Sequence, residues 1–360
     1  MVDLENYLIQ GEPDQRERGY IWHTAIGLQL ADGLKTSDYL IATANKNING
    51  DITLDEARKL VDDYYQSRPT AFDDKTRIEE ADKVSARIAS ILSEKTFSFS
   101  PAEYLAIHRR LFEGIYDFAG KIRDYNISKS EWVLNGETVY YASAQSIQST
   151  LDYDFLQEKK FSYQGLSMTQ IVKHVARFTS DLWQIHAFGE GNTRTTAVFV
   201  IKYLRTFGFD VTNDLFAENA WYFRNALVRA NYNNLRLGIH ETYEYLDRFF
   251  ANLLLDEKNS LENRDLLVGN ESNPIENVPI NVPINVPINL TENQLEVMLR
   301  LRENPHATAL CMAGQIGVSD KTIKRALADL KSAGLIKRAG SNKAGYWIVN
   351  QNVDVFVTGV

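Results

Sequence analysis

A proline-spaced repeat late in the chain limits most strongly what it can fold into. The unit Asn-Val-Pro-Ile occurs three times in succession, at 277–280, 281–284 and 285–288. A proline at every fourth position removes amide donors and clashes with the preceding turn, so the segment can form neither a helix nor a central strand. We therefore predict that residues 258–289 are an extended, semi-stiff linker between two separately folded parts.

The overall composition is that of an ordinary soluble globular protein, with 44% hydrophobic and 24% charged residues among 360. The single cysteine, Cys311, excludes a disulfide framework and a four-cysteine metal site, and it fits a reducing compartment. The N-terminus lacks the apolar core of a signal peptide, and no apolar run is long enough to span a membrane. We therefore expect a cytoplasmic protein that does not interact with membranes.

The net charge of −8 is distributed unevenly along the chain. Residues 290–350 contain nine Lys and Arg against five Asp and Glu, which gives this segment +4 and leaves about −12 for the remainder. Such an asymmetry indicates a basic C-terminal module with a polyanionic partner.

Hydrophobic periodicity predicts that residues 39–256 form one all-α domain of roughly eight helices. A helix, a break and a second helix are expected over 39–65, because Gly50 is a good helix stop and Thr53 with Glu56 matches a capping box. Residues 1–35 show no clear pattern. Further helices are predicted at 76–95, 100–112, 143–157, 168–185, 193–206, 215–231 and 239–256.

Residues 121–141 interrupt this helical pattern. Two short β-like runs lie on either side of Asn135-Gly136, which is a strong hairpin signal. A hairpin isolated among helices cannot form a sheet core of its own. We therefore predict a β-hairpin flap that covers a functional site, with a merely structural hairpin as the alternative.

Eleven residues between two predicted helices carry the chemistry of the chain. The stretch from His186 to Thr196, HAFGEGNTRTT, contains a titratable base, the carboxylate of Glu190, two glycines and the cation Arg194. A loop of small residues that opens a helix directs its backbone N–H groups at an anion. The stretch therefore predicts a phosphate-binding loop whose carboxylate could hold a divalent cation.

This stretch resembles the signature of the Fic family, whose pattern reads His-x-Phe-x-Asp/Glu-Gly-Asn-Gly-Arg-x-x-Arg. The segment AGKIRDYNISK at 119–129 is similar to the flap strand of that family, and the segments at 107–112 and 218–231 resemble its helices. The resemblance covers about 75–256. It implies a mainly α fold, a Fic-type helical bundle with a β-hairpin flap. The domains would be an N-terminal helical region at 1–70, resembling an antitoxin-like segment, and a Fic catalytic domain at 71–257.

The resemblance also implies an activity, the transfer of AMP from ATP to a Ser, Thr or Tyr hydroxyl of a protein. His186 would be the general base, Glu190 would bind Mg²⁺, and Arg194 would neutralise the leaving pyrophosphate. The acceptor would dock on the flap at 130–141 as an added strand. The residues that would bind the nucleotide are Gly189, Glu190, Gly191, Asn192, Thr193, Arg194 and Asn231, although Asn231 could equally be a surface amide.

Two departures from the family pattern concern regulation. Thr193 stands where the pattern has glycine, and Ala197 stands where it has the second arginine, which normally meets the γ-phosphate. Many members pair that arginine with a glutamate of an inhibitory helix, of pattern Ser/Thr-x-x-x-Glu-Gly/Asn. The nearest match here is 45–50, with Asn49 in place of the glutamate. We therefore predict relaxed or absent autoinhibition of the standard kind; the alternative is that 39–65 is only a packed helical hairpin.

The pattern of residues 290–360 is typical of a winged helix, because it predicts three helices followed by a hairpin. A basic third helix after a Gly-Val-Ser turn is the usual position of a recognition helix. We predict DNA contacts within 319–345, and a protein partner or homodimerisation is the alternative. The residues expected to contact DNA are Lys321, Lys324, Arg325 and Lys343.

Three functions remain open from the sequence. The leading one is a Mg²⁺-dependent protein adenylyltransferase, which acts on another protein or on itself. The second is a transcription regulator whose Fic domain only senses a nucleotide. The third is an enzyme that transfers UMP or another phosphate-containing group.

Overall fold

The computed structural model describes residues 13–67, 74–209, 211, 215–268, 292–303, 307–316, 318–332, 336–339 and 346–349. They divide into two compact units, Met1–Pro274 and Ile275–Val360. The Asn-Val-Pro-Ile repeats of the predicted linker lie outside the described residues, and so does Lys343.

The regular secondary structure of the first unit is helical in its described part. Five short 3₁₀ segments connect its helices, at Leu28–Asp32, Trp132–Leu134, Ala144–Ser146, Leu235–Leu237 and Asn263–Leu266. The α-helices are α1 Pro13–Gly27, α2 Asp38–Asn49, α3 Leu54–Gln66, α4 Asp74–Ser93, α5 Pro101–Phe112, α6 Ile147–Lys160, α7 Met168–Ile185, α8 Asn192–Thr206, α9 Leu215–Ala230 and α10 Glu244–Leu255.

The predicted helices from α2 to α10 are confirmed, together with the signals that bound them. Gly50 ends α2 in the left-handed region at φ 83°, and Thr53 and Glu56 form the predicted capping box of α3. Helix α1 was not predicted. Its charged residues lie in its first half and its apolar residues in its second half, so no lengthwise stripe marks it. Trp22 and Ala25 nevertheless bury completely, because α1 packs against α4 and α9.

Helix α8 is the centre of the first unit. Every residue from Asn192 to Leu204 is buried, because α4, α5 and α7 all pack against this helix. A helix that is buried on all sides is accessible only at its ends. The loop that precedes α8 therefore presents the first turn of a rigidly held helix.

The predicted β-hairpin flap is wrong in its secondary structure. Residues 121–141 contain no strand; the chain reverses through the 3₁₀ turn at 132–134 and Asn135, which is left-handed at φ 54°. Two main-chain hydrogen bonds cross the reversal: the N–H of Glu131 donates to the Glu137 carbonyl, and the N–H of Gly136 donates to the Glu131 carbonyl. The physical reason is tertiary packing: Val133 and Leu134 bury in the core, which favours a turn over an alternating strand. We refer to residues 121–141 below as the covering segment.

The second unit consists, in its described part, of three helices and two strands. Helices α11 Glu292–Glu303, α12 Ala309–Ile316 and α13 Asp320–Ser332 precede the antiparallel pair β1 Ile336–Ala339 and β2 Tyr346–Val349. Its separate apolar core includes Val297, Met298, Leu301, Ile323 and Leu330. None of the helices described in either unit combines the length and apolarity needed to cross a bilayer.

Candidate active site

Two unusual backbone conformations shape the loop between α7 and α8. His186 follows α7 in the left-handed region at φ 49°, and its N–H donates to the Trp183 carbonyl at 3.0 Å. Gly191 precedes α8 at φ 75°, and a Cβ there would lie 2.3 Å from the Phe112 ring. Position 191 therefore requires glycine for both conformation and space.

The side chain of Asn192 closes this loop on itself. Its Oδ1 accepts from the Phe188 N–H at 3.0 Å, and its Nδ2 donates to the Phe188 carbonyl at 2.8 Å. Thr193 is also engaged, because its hydroxyl accepts from the Trp183 indole at 3.0 Å. These two predicted nucleotide-binding side chains therefore shape the loop in this structure.

The main-chain amides of residues 189–194 point to an anion site. None of them donates a hydrogen bond to any residue in the described part of the chain. The first amides of a helix have no partner within it and carry the positive end of its dipole. A phosphate group would satisfy several of these amides at once.

His186 lies beside these amides with its ring nitrogens unengaged. The residue is 4% exposed, and neither ring nitrogen has a hydrogen-bond partner among the described side chains or main-chain groups. The Tyr141 ring covers it at a centroid distance of 4.1 Å. Burial, and then the charges of Lys129 and Arg224, lower the pKa of His186 well below its usual value. The imidazole is therefore neutral at pH 7 and can accept a proton.

Arg123 ties the covering segment to the His186 loop. Its Nε donates to the His186 carbonyl at 2.8 Å, and its own N–H donates to the Ala187 carbonyl at 3.0 Å. One Nη donates to the Ala142 carbonyl at 2.5 Å. We did not predict this role, because a guanidinium that binds only main-chain oxygens leaves no pattern of complementary charge in the sequence.

A buried ion pair holds the other end of the covering segment. The Arg224 guanidinium meets the Glu131 carboxylate through two contacts of 2.7 and 3.0 Å, and the Tyr141 hydroxyl donates to the same carboxylate at 3.2 Å. Glu131 is 1% exposed. This chain of contacts runs from α9 to the ring that lies over His186, so it fixes how that ring covers the imidazole.

Glu190 is the predicted metal ligand, and its carboxylate lies at the opening of the loop. Its side chain is 52% exposed, and one oxygen lies 3.0 Å from the Lys129 ammonium. Among the residues that the structure describes, no group of three or more His, Cys, Asp or Glu could hold a metal ion. Mg²⁺ is usually held by one or two carboxylates together with substrate phosphates and water. Glu190 fits a cation that arrives with a nucleotide.

Arg194 has partners that we did not predict. Its guanidinium is 2.6 Å from an Asp32 oxygen and 2.7 Å from a Glu80 oxygen, and it donates to Gln29 at 3.0 Å. The residue is 1% exposed. Burial alone would lower the pKa of Arg194, but the two carboxylates outweigh it and raise that pKa above its usual value. Asp32 and Gln29 come from the segment that showed no sequence pattern.

The other residues that the sequence predicted for the site have different surroundings. Gly189 is close-packed, since a Cβ there would lie 2.6 Å from the Tyr125 hydroxyl. Asn231 donates to the Ser180 hydroxyl at 2.8 Å, which places it against the middle of α7. Asn49 is exposed at the end of α2, and Ala197 is fully buried in α8. Neither of these last two makes a described polar side-chain contact with the loop.

His108 supports the loop from α5, and we did not predict it. Its Nδ1 accepts from the Gly120 N–H at 2.8 Å, so its proton must lie on Nε2, which donates to the Glu190 carbonyl at 3.1 Å. The ring stacks on Phe188 with centroids 3.6 Å apart. Burial lowers the pKa of His108 to about 4.

We expect His108→Asn to flatten the pH dependence of stability between pH 4 and 6.5. Unfolded histidine has a pKa of about 6.5, so the unfolded state binds more protons in this window. The contribution of this group to the free energy of unfolding therefore rises by up to about 1.4 kcal/mol per pH unit in this window. This contribution is complete above pH 6.5. Urea unfolding at several pH values measures the slope. The exposed His240→Asn control should keep the wild-type slope, and an unchanged slope in His108→Asn would contradict the assignment.

Comparisons with known proteins find similar sequences over the part of the chain that contains this loop. Residues 98–204 match the family model described as the Fic/DOC family. The chain is 24% identical over 196 residues to protein adenylyltransferase VbhT of Bartonella schoenbuchensis, covering 54% of this chain and 39% of that protein. It is 26% identical over 130 residues to the probable protein adenylyltransferase y4lH of Sinorhizobium fredii, covering 36% of this chain and 64% of that protein. The chain thus spans less than two thirds of either relative.

Among solved structures, the chain is similar to BepC of Bartonella tribocorum, whose structure contains bound AMPPNP. The identity is 18%, the match covers 52% of this chain and 94% of that one, and the TM-score is 0.40. The matched family model spans α5, α7 and the whole loop from His186 to Thr196. Residues 98–204 of this chain are therefore similar to the Fic/DOC family.

Proposed function

We propose that the chain is a protein adenylyltransferase, which transfers AMP from ATP to a Ser, Thr or Tyr hydroxyl of a protein. One observation carries the proposal: the unpaired amides of 189–194 lie beside the neutral, unpartnered imidazole of His186. The amides suit phosphate oxygens, and the imidazole suits a hydroxyl proton. The two similar proteins that are named as adenylyltransferases favour AMP over another phosphate-containing group.

In the proposed reaction the acceptor oxygen forms a bond to the α-phosphorus while its proton passes to His186. The bond from that phosphorus to the pyrophosphate oxygen breaks, and pyrophosphate leaves with the electron pair. The amides of 189–194 stabilise charge that develops on the phosphate oxygens. Mg²⁺ held by Glu190 would supply further neutralisation of the phosphates. His108 and Arg123 keep the loop in place through main-chain contacts.

We place the acceptor on the covering segment, at residues 138–141. The main-chain amides of these four residues donate to no described residue, and Tyr140 is 82% exposed. An extended acceptor chain could satisfy those amides by pairing alongside, without demanding a particular sequence. This supports docking next to His186, because Tyr141 of the same segment covers its ring.

Intact-mass spectrometry tests the proposed transfer. The full chain is incubated with Mg²⁺ and each of ATP, UTP, CTP and GTP, alone and with a cell lysate. The expected result is a mass increase equal to AMP, on a lysate protein or on the chain itself, with ATP. Binding of ATP without any added mass would instead favour the nucleotide-sensing regulator. An increase equal to UMP, or to another group, would identify that transferase.

We also propose that standard autoinhibition is absent. Asn49 is exposed and carries no negative charge, and Ala197 offers no charged partner. Deleting residues 1–70 would not test autoinhibition alone, because the deletion would also remove Asp32 and Gln29, which contact Arg194. Point substitutions are therefore the appropriate probes of the N-terminal region.

We propose, finally, that the second unit is a winged helix that binds DNA. The side chains of Lys321, Lys324 and Arg325 are exposed on α13, opposite the buried Ile323 and Leu330. Lys324 lies 2.6 Å from Asp320, an exposed pair that phosphates can replace. The helix is followed by the β1–β2 pair in the position of a wing.

We expect the triple change of Lys321, Lys324 and Arg325 to alanine to weaken binding to random-sequence duplex DNA. Loss of three phosphate contacts should reduce the slope of log affinity against log salt concentration by about 3. Fluorescence anisotropy at several salt concentrations measures the slope. A control that changes the exposed Lys159 and Lys160 of α6 should behave as wild type. An unaffected slope, or wild-type self-association without DNA binding, would contradict the proposal.

A further inference from the structure

We propose that Lys129 binds the phosphates of the nucleotide at the opening of the loop and is thereby a catalytic residue of the transfer. This inference rests on the function proposed above. Transfer of AMP from ATP, like phosphoryl transfer, needs positive charge close to the phosphates, because negative charge builds up on the leaving group. The question is which side chain supplies that charge in this chain.

Arg194 is poorly placed to supply it. The residue is 1% exposed, and its guanidinium already meets the carboxylates of Asp32 and Glu80. One positive charge between two negative charges leaves the cluster with a net charge of −1. A phosphate would have to displace a carboxylate from a buried contact in order to reach this guanidinium.

The other cations that are buried or half-buried around the loop and α8 are also engaged. Arg123 directs its donors at main-chain carbonyls, and Arg224 is paired with Glu131. Lys202 donates to two main-chain carbonyls near the end of α4. Ala197 contributes no charge where the family pattern has its second arginine.

Lys129 differs from these cations in its partner and its exposure. Its ammonium lies 3.0 Å from the Glu190 carboxylate, next to the free amides of the loop. Its side chain is 23% exposed and that of Glu190 is 52% exposed, so the pair lies where a ligand can enter. The Lys129 N–H donates to the Thr138 hydroxyl at 3.2 Å, which fixes the base of a flexible side chain. The ammonium has three donors and one described partner.

The charge of Lys129 is also felt at the other end of the loop. After burial, it makes the largest contribution to the lowered pKa of His186. The ammonium therefore acts electrostatically on the imidazole and contacts the Glu190 carboxylate at 3.0 Å. A phosphate held by the amides of 189–194 would lie between these two groups, within the field of Lys129.

The pairing with Glu190 explains how Lys129 becomes available. Without a ligand, the ammonium neutralises a carboxylate that would otherwise repel an incoming phosphate. When a divalent cation binds to Glu190, it repels the positively charged ammonium of Lys129 from that carboxylate. The N–H donors of the ammonium are then free to bind the phosphates. Contact with the leaving pyrophosphate strengthens as charge develops, so the same residue aids binding and transfer.

Calorimetric binding without turnover tests this role. We compare a non-cleavable α,β-methylene analogue of ATP with adenosine, in Mg²⁺, on the full chain. Lys129→Ala should lose tenfold or more in affinity for the analogue and less than twofold for adenosine. Lys129→Arg should retain most of the affinity for the analogue, and the exposed Lys121→Ala control should equal wild type. Equal loss for both ligands, or no loss, would overturn the proposal.

A second comparison separates direct contact from an effect through Glu190. In a Glu190→Gln background, measured without Mg²⁺, Lys129→Ala should still lower the affinity for the analogue severalfold. No further loss in that background would show that Lys129 only neutralises Glu190, and the proposal would fall. If wild type binds neither ligand, the proposed function fails along with it; if wild type binds and Lys129→Ala matches it, only the role of Lys129 fails.

Discussion

We expect the His186→Ala variant to lose AMP transfer by a factor of about 10²–10⁴ while it still binds ATP. A positioned general base typically contributes this much to a proton transfer. The imidazole has no described hydrogen-bond partner, and the anion-binding amides belong to residues 189–194. Removal of the ring should therefore affect the chemical step far more than nucleotide affinity.

Initial rates of AMP incorporation and calorimetric ATP affinities on the same preparations measure this difference. The exposed His240→Ala variant is the control and should match wild type in both measurements. Because His186 is buried, the thermal midpoint of the variant is compared as well. Equal loss of transfer and of ATP affinity, or transfer that persists, would remove His186 from the role of base.

The pH profile of wild type provides an independent check on His186. Burial, followed by nearby cations, lowers the pKa of this base well below 6.5. The neutral form is the active one, so the transfer rate should stay constant from pH 8 down through 6.5 and fall only at lower pH. A rate that falls with a midpoint at or above pH 6.5 would contradict this description.

The second large effect concerns stability: Glu80→Ala should lower the free energy of unfolding of the first unit by about 3 kcal/mol. The Glu80 carboxylate contacts Arg194 at 2.7 Å and accepts from the Tyr116 hydroxyl at 2.7 Å. Removing it leaves a buried guanidinium with one acidic partner, Asp32. That remaining partner is why we expect the lower end of the range for broken buried ion pairs.

Urea unfolding followed by tryptophan fluorescence measures this loss. Glu79→Ala is the matched control, because Glu79 is the preceding residue of α4 and pairs with Lys83 at 2.6 Å in a more exposed setting. An i, i+4 helix pair of that kind contributes about 0.3–0.5 kcal/mol. Similar losses in the two variants would mean that the Arg194 cluster contributes little to stability.

Local signals in the sequence were sufficient for most of the helices and for the loop. The stop at Gly50 and the capping box at Thr53 act within a few residues, so their effects could be predicted without tertiary information. The loop was recognisable for the same reason, since its glycines and its amide side chain act on their immediate neighbours. Asn192, for example, reaches back only to Phe188.

The covering segment shows where local signals fail. Asn135-Gly136 does reverse the chain, as predicted, but Val133 and Leu134 prefer burial in the core to alternation along a strand. Short apolar runs are ambiguous in sequence, and the surrounding core decides between turn and strand.

The sequence by itself determined helices α2 to α10, the His186–Thr196 loop and the residues of which the anion site is made. Only the tertiary structure decided how the charges pair: Arg194 with Asp32 and Glu80, Arg224 with Glu131, and Lys129 with Glu190. Each of these partners lies more than 60 positions away along the chain. Electrostatic attraction acts through space and leaves no periodicity in the sequence, so the pairs become visible only when packing has brought their helices together.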